Sequence, residues 1–413
     1  MTNRKGLLAV IFIIALIVRL GVFLHSFNAG EIPTWEYEEL ADNILSGKGY
    51  VLEHLEITNR FFGPPLYPFF CSFIYQLNAH SQTSVILIQI LLSCLTCVLI
   101  FRLSRFFFND LTSFIAGLLV SFHPGLIIYS IRLHPLTIDV FLLVCLVIIF
   151  VHAIYSNRLL YFVLLGIACG LILYTRTVLL IFILLNLLIY VLRSRDKMRS
   201  IKMSLLVVLI MFLIVFPWTV RNYLIVKKLV FVQNSGEVFW RGNNINATGT
   251  SYTSDGAYIF NTASKKFKNT ILNADNEIVQ DKIFWKQGVS FITKNPYRFI
   301  KLTFLKLRYF WWFSPQQGRE YPVYYFYAYR IFYLLCLCFG LIGLWHMVFS
   351  LDVKIKLFLL ISVILFVSVS FMHSFFYVEG RHRWLIEPIF LIFSAFGCKI
   401  IFGNLKKCLQ KRT

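Results

Sequence analysis

The chain has 413 residues and a formal net charge of +21, with 58% hydrophobic, 17% aromatic and only 14% charged residues. So little polar surface excludes a soluble globule of this length and assigns the chain to a bilayer. The basic balance does not read as nucleic-acid binding, because the charges sit between apolar runs rather than on a soluble patch. Orientation in a membrane and attraction to anionic lipid or phosphate account for them. The nine cysteines fall mostly inside apolar runs, so neither a disulfide framework nor a zinc site is indicated.

Residues 7–24, preceded by Arg4 and Lys5, read as a retained first transmembrane helix entering from the cytoplasm, since no small-residue cleavage site follows. The first outside loop, 25–65, is dense in acids: Glu31, Glu36, Glu38, Glu39 and Asp42. Its stretch TWEYEELADNILSGKGY predicts a short helix capped by Thr34, with Tyr37, Leu40, Ala41 and Ile44 on its apolar face. Acids in a first turn suit the helix dipole, and a carboxylate cluster beside a membrane is also where a general base belongs. The aromatic LYPFFCSFIYQL that follows reads as an interfacial helix.

Further spans are expected near 84–107, 112–130, 136–155, 160–175, 178–192 and 201–219. Arg102, Arg105, Arg158 and the run from Arg193 to Lys202 then share one side, in agreement with the positive-inside rule. His134, Asp139 and Arg176 come to the opposite, outside face. Residues 221–324 read as an extracytoplasmic loop domain, with helices near 276–293 and 296–313, the second lying on the membrane. Spans near 325–348, 357–373 and 384–402 return the chain to a basic cytoplasmic tail. The expectation is an all-α polytopic membrane protein of about ten spans with both termini inside: a transmembrane module over 1–220, the loop domain over 221–324, and C-terminal helices over 325–413.

Four outside stretches converge in this topology: the acidic helix, the turn from His134 to Asp139, PWTVRNY with RGNNINATG, and EGRHRWLIEP at 379–388. The order WEYEELADNILSGKGY, PPLYPFF, PWTVRNY, GNNINATG and RHRWLIEP resembles the GT-C membrane glycosyltransferases. The likeness is to the family-39-like group related to protein O-mannosyltransferases and the lipid A aminoarabinose transferase. That resemblance covers roughly the whole chain. It implies a polyprenyl-phosphate sugar as donor, transfer on the outside face of the cell membrane with inversion, a first-loop acid as base, and a lipid, glycan or protein acceptor. Many relatives carry an Asp four positions before the tyrosine corresponding to Tyr37, where this chain has Pro33. Glu36 is the first candidate to supply the acid instead, and Glu39, one turn on, the second.

The chemistry stands without the family. An acceptor hydroxyl displacing at an anomeric carbon needs a base, and a departing phosphate needs charge stabilisation, for which arginine offers a bidentate match. Arg381 and Arg383 are the leading phosphate ligands and Arg221 and Arg241 the next, each alternatively a snorkelling anchor. Tyr37, Asp139, His134, Asn243 and Asn244 are candidates for acceptor binding or support. His134 and Asp139 could join a first-loop carboxylate in holding a divalent metal, but a lone pair argues weakly for one, so a metal is not favoured and no other cofactor is indicated. An O-antigen ligase or polymerase would lean on arginines rather than an acidic loop. A flippase or transporter would want polar or broken helices at mid-membrane depth, which are scarce.

Overall fold

The computed structural model describes residues 4–28, 35–232, 234–314 and 323–410. Glu31, Pro33 and Thr34 lie outside the described residues, as do Lys411 and Arg412 of the tail. The chain opens with α1 (Arg4–Asn28) and α2 (Glu36–Leu45), then a hairpin of β1 (Leu52–His54) and β2 (Ile57–Asn59). Its pairing is antiparallel, with Leu52 opposite Asn59, and Leu55 and Glu56 take left-handed φ in the two-residue turn. Next come α3 (Leu66–Leu77), α4 (Gln82–Phe107), α5 (Asp110–Ser121), α6 (Pro124–Ser130), α7 (Leu136–Ser156), α8 (Leu159–Leu173), α9 (Leu180–Arg193) and α10 (Lys197–Val226). The loop region carries α11 (Ser235–Gly242), α12 (Lys265–Leu272), α13 (Glu277–Lys294) and α14 (Pro296–Trp311). The chain closes with α15 (Val323–Val348), α16 (Val353–Phe375), α17 (Gly380–Trp384) and α18 (Glu387–Gln410).

Among the described residues, six helices are long and apolar enough to cross a membrane: α1, α4, α7, α10, α15 and α16. A bent pair, α5 and α6, makes a seventh if it counts as one span. The expected ten exceeds this because α8 and α9 are short. At 1.5 Å per residue, fifteen residues reach only about 22 Å, against a hydrocarbon core of about 30 Å. α18 does not enter that count either. Helix α10 runs through Pro217 to Val226, so residues 221–226 continue that helix.

The expected continuous span at 112–130 is broken by 55° between α5 and α6. Pro124 starts the second helix, and the His123 Nδ1 accepts the Leu126 N–H at 3.1 Å as its cap. The fully buried Arg19 of α1 meets the carboxyl end of α5 there. It donates to the Ser121 carbonyl at 3.1 Å, to the Ala15 carbonyl at 3.2 Å and from Nε to Ser93 Oγ at 2.8 Å. The partial negative charge of a helix C-terminus thus faces a guanidinium inside the bundle.

Helices α15 and α18 pack along each other, as do α8 and α10. In the loop region α11 lies on α13, and Gly242 at its end sits so close to the chain after α16 that a Cβ would fall on the Phe376 carbonyl oxygen. That approach seats α11, and Arg241 with it, against Tyr377, over whose ring the guanidinium lies at 5.7 Å.

Candidate functional site

A cavity of about 610 Å³ opens where the ends of several elements meet. Helix α2 contributes Glu36 and Tyr37, preceded by Trp35 at its N-cap position. The turn before α7 gives His134, the α8–α9 connection gives Arg176, and α11 gives Arg241. The end of α16 and α17 supply His373, Arg381 and His382. Phe62, Tyr67, Phe231 and Tyr377 add aromatic wall.

The electrostatics of the wall follow one plan. Each of its three arginines is braced from behind by a carboxylate that does not itself line the cavity. Arg176 Nε lies 2.6 Å from Asp139 Oδ2, Arg381 Nη2 lies 2.6 Å from Glu379 Oε2, and Arg241 Nη2 lies 2.5 Å from Glu237 Oε1. Glu237 also receives the Tyr258 hydroxyl at 2.7 Å and stands 2.9 Å from His54 Nε2 on β1. Burial alone would raise its carboxyl, but Arg241 foremost, then the His54 and Tyr258 contacts, hold it well below the usual carboxylate range. The bracing fixes where each guanidinium points.

Among the described residues, Glu36 is the one carboxylate on the wall, and it makes no hydrogen bond or ion pair with any of them. The other acids of α2 are engaged or turned away. Glu38 accepts from Tyr75 at 3.4 Å and from Gln82, Asp42 lies 3.1 Å from His80, and Glu39 is exposed and meets only the Glu53 N–H at 3.5 Å. Glu38, two residues on, stands about 200° round the helix from Glu36, whereas Glu39, one turn on, is offset by only about 60° and differs in being exposed.

Two wall histidines have their tautomers set by the backbone. His134 Nδ1 accepts the Leu136 N–H at 3.1 Å, and His382 Nδ1 accepts the Glu379 N–H at 3.2 Å. Burial first, and then the surrounding positive groups, lower both imidazoles well below the ordinary value. Each neutral ring therefore carries its proton on Nε2 and is a hydrogen-bond donor there. The Tyr37 hydroxyl, raised by burial and by Glu36, likewise stays protonated.

The structure thus brings Glu36, Tyr37, His134, Arg241 and Arg381 to one cavity, with Asp139 immediately behind Arg176. Arg383 is not on the wall. It is fully buried between the Phe310 and Trp312 carbonyls, Glu387 at 2.5 Å and the Tyr329 hydroxyl, with Tyr333 under its plane at 3.8 Å. Arg221 lies over Trp218 and donates to the Arg60 carbonyl at 2.6 Å, also off the wall. Asn243 is tied to the Phe239 and Phe375 carbonyls and to Lys306, and Asn244 to the Trp240 carbonyl, so both serve as fastenings of α11. Arg176, which the topology places on the outside face without a site role, belongs to the wall, as do His373 and His382. An arginine stranded between two apolar runs, at the end opposite the basic connections, was the available signal for the first. Among the described residues, no three His, Cys, Asp or Glu side chains gather as a metal-ligand set.

Comparison with known proteins bears on the fold. The family model for dolichyl-phosphate-mannose-protein mannosyltransferases matches residues 63–220. No curated protein sequence matches the chain. Among solved structures, the oligosaccharyltransferase of Archaeoglobus fulgidus tethered to an acceptor peptide superposes at a TM-score of 0.56, with 13% identity over 97% of this chain and 50% of that one. The same enzyme in complex with an inhibitory peptide and a dolichol-phosphate gives 0.55, with 13% identity over 100% and 52%. ArnT from Cupriavidus metallidurans bound to undecaprenyl phosphate gives 0.43, with 12% identity over 96% and 77%. The chain spans about half the length of the archaeal relatives. The fold is that of the GT-C class of membrane glycosyltransferases, which bears out the resemblance read from the sequence. At that level the protein is a multi-pass, helical membrane protein of mannosyltransferase-like fold.

Proposed function

We propose that this protein is an inverting glycosyltransferase that moves a sugar from a polyprenyl-phosphate donor to a hydroxyl on a lipid, glycan or protein acceptor. The reading sets the cavity on the outer face of the cell membrane. The observation that carries it is the wall itself: three braced guanidinium groups and, with no partner among the described residues, the carboxylate of Glu36. A phosphate on its lipid carrier is the ligand that such a cluster of bidentate donors suits. The dolichol-phosphate complex of a protein sharing this fold supports the assignment.

In the proposed reaction Glu36 takes the proton of the acceptor hydroxyl as its oxygen bonds to the anomeric carbon. The carbon–oxygen bond to phosphate breaks from the opposite side, and the electron pair leaves with the phosphate. Arg176, Arg241 and Arg381 stabilise the charge that accumulates there, with His134 and His382 as neutral donors nearby. Because phosphate is a good leaving group, no general acid is required. The test is the lipid pool of cells lacking the protein. A polyprenyl-phosphate sugar should accumulate, and an unaltered pool would contradict the proposal.

A further inference from the structure

The helices that build the cavity end in a second one. About 400 Å³ lies open between the far ends of α7, α9 and α16, the same three helices whose other ends reach His134, Arg176 and His373. Val353, in this second cavity, and His373, in the first, stand on one helix roughly 30 Å apart by its rise, which is the thickness of a hydrocarbon core. The two cavities therefore sit at opposite faces of the membrane.

The lining is graded. Deeper along the helices it is apolar, with Phe150, Ile189, Leu357 and Leu360, while at the helix ends come Tyr155, Tyr190 and Arg193. The Tyr190 hydroxyl reaches Asn157 Oδ1 at 3.4 Å, and Asn186, further in, ties its amide to the Phe182 carbonyl at 2.8 Å. Arg193 makes no hydrogen bond or ion pair with any described residue. Basic residues crowd the same end: Arg199, which donates to the Asn157 carbonyl at 2.8 Å, together with Arg195, Lys197, Lys354 and Lys356. The acids there, Asp196 and Asp352, are occupied as N-caps of α10 and α16.

An apolar slot at membrane depth, ending in an unpartnered guanidinium within a cationic rim, is complementary to an anionic amphiphile. We propose that this cavity binds an anionic phospholipid of the leaflet opposite the glycosyl-transfer cavity, one acyl chain lying between α7, α9 and α16 and the phosphate on Arg193. The short α9 makes such a lipid structural, because the chain fills space that a fourteen-residue helix leaves between its neighbours. The inference rests on the cavity and its charge and not on the reaction at the other end.

The experiment is native mass spectrometry and thermal unfolding of the purified full chain in neutral detergent, titrated with phosphatidylglycerol, with phosphatidylcholine of the same chains, and with glycerol phosphate. Wild type should retain phosphatidylglycerol at least tenfold better than phosphatidylcholine and gain stability from it, while glycerol phosphate has no effect. Arg193→Gln, a change at an exposed position, should abolish the preference between the two lipids. Leu360→Trp, which fills the slot and keeps the charge, should abolish retention of both. Equal retention of the two lipids by wild type would overturn the proposal. So would an unchanged preference in Arg193→Gln, or glycerol phosphate matching the intact lipid, which would mark a free-phosphate site.

Discussion

Asp139 and Arg176, 37 residues apart in the chain, are joined side by side: Arg176 Nε donates to Asp139 Oδ2 at 2.6 Å. The carboxylate is fully buried and the guanidinium is 21% exposed, toward the cavity. Removing either partner is therefore unequal. Arg176→Gln leaves a buried carboxylate without its counter-charge, a loss of roughly 3–5 kcal/mol by the usual range for broken buried pairs. Asp139→Asn leaves an arginine able to turn into the cavity, and should cost less. Thermal unfolding in detergent should rank Arg176→Gln below Asp139→Asn, with the double variant recovering part of the difference. The reverse order would mean that the carboxylate is not held by this arginine.

The two acids first considered as bases now make distinct predictions. Glu36→Gln keeps the side chain's shape on the cavity wall and removes its basicity, so transfer should fall by roughly two or more orders of magnitude with insertion and folding intact. Glu39→Gln lies on the exposed side of α2 and should leave transfer within about twofold of wild type. Activity of both variants in one assay separates the outcomes. Loss confined to Glu39→Gln would move the base off the wall.

Arg381 and Arg383 should also part company. Arg381→Lys and Arg241→Lys replace a braced, bidentate donor by a point charge, and should raise the donor KM and lower kcat with folding retained. Arg383→Lys cannot reproduce the bonds to the Phe310 and Trp312 carbonyls, Glu387 and Tyr329. It should lower the unfolding temperature, with little change in the KM of the protein that remains folded. Donor titrations alongside unfolding curves check all three. A raised KM with wild-type stability in Arg383→Lys would place that residue at the donor after all.

Glu277 carries a pH dependence of its own. Its carboxylate receives the Arg60 N–H at 2.9 and 3.0 Å, clamping α13 to the end of β2, yet burial pushes its pKa up to about 7 against these hydrogen bonds. A carboxyl whose folded pKa lies above its unfolded one binds more protons when folded. The stability this buried group contributes is therefore greatest below about pH 4.5, falls as pH rises through 7, and stays at the lower level above. Hydrogen exchange at residues 57–61 should be faster at pH 8 than at pH 5.5 after correction for the intrinsic rate. Glu277→Gln should remove most of that difference, and an unchanged difference would assign the effect to another group.

Much of this was legible in the sequence. Apolar runs located the helices, because hydrocarbon demands long apolar segments whatever they pack against. The topology they imply carried Glu36, His134, Arg241 and Arg381 to one face. The facing of neighbours was not legible. Arg381 and Arg383 are two residues apart on α17, so they look to opposite sides of the helix, one to the cavity and one into the core. The same topology placed Arg176 on that face, but its pairing with Asp139 was not legible, because the partner lies on another helix and no spacing along the chain encodes that meeting. The break between α5 and α6 is a different case. Its Ser121-Phe-His-Pro-Gly125 carried the signal, since Pro124 and Gly125 interrupt an otherwise apolar run, and the Arg19 contact with the Ser121 carbonyl meets the first helix at the break.

Sugar transfer from a polyprenyl phosphate with Glu36 as base can be followed as free polyprenyl phosphate released from a sugar-loaded polyprenyl phosphate in proteoliposomes supplied with cell-envelope acceptors. Release should be matched one for one by sugar appearing on an acceptor, and reduced about a hundredfold or more in Glu36→Gln. Wild-type protein that binds the donor but releases no polyprenyl phosphate, or a Glu36→Gln variant as fast as wild type, would contradict that mechanism.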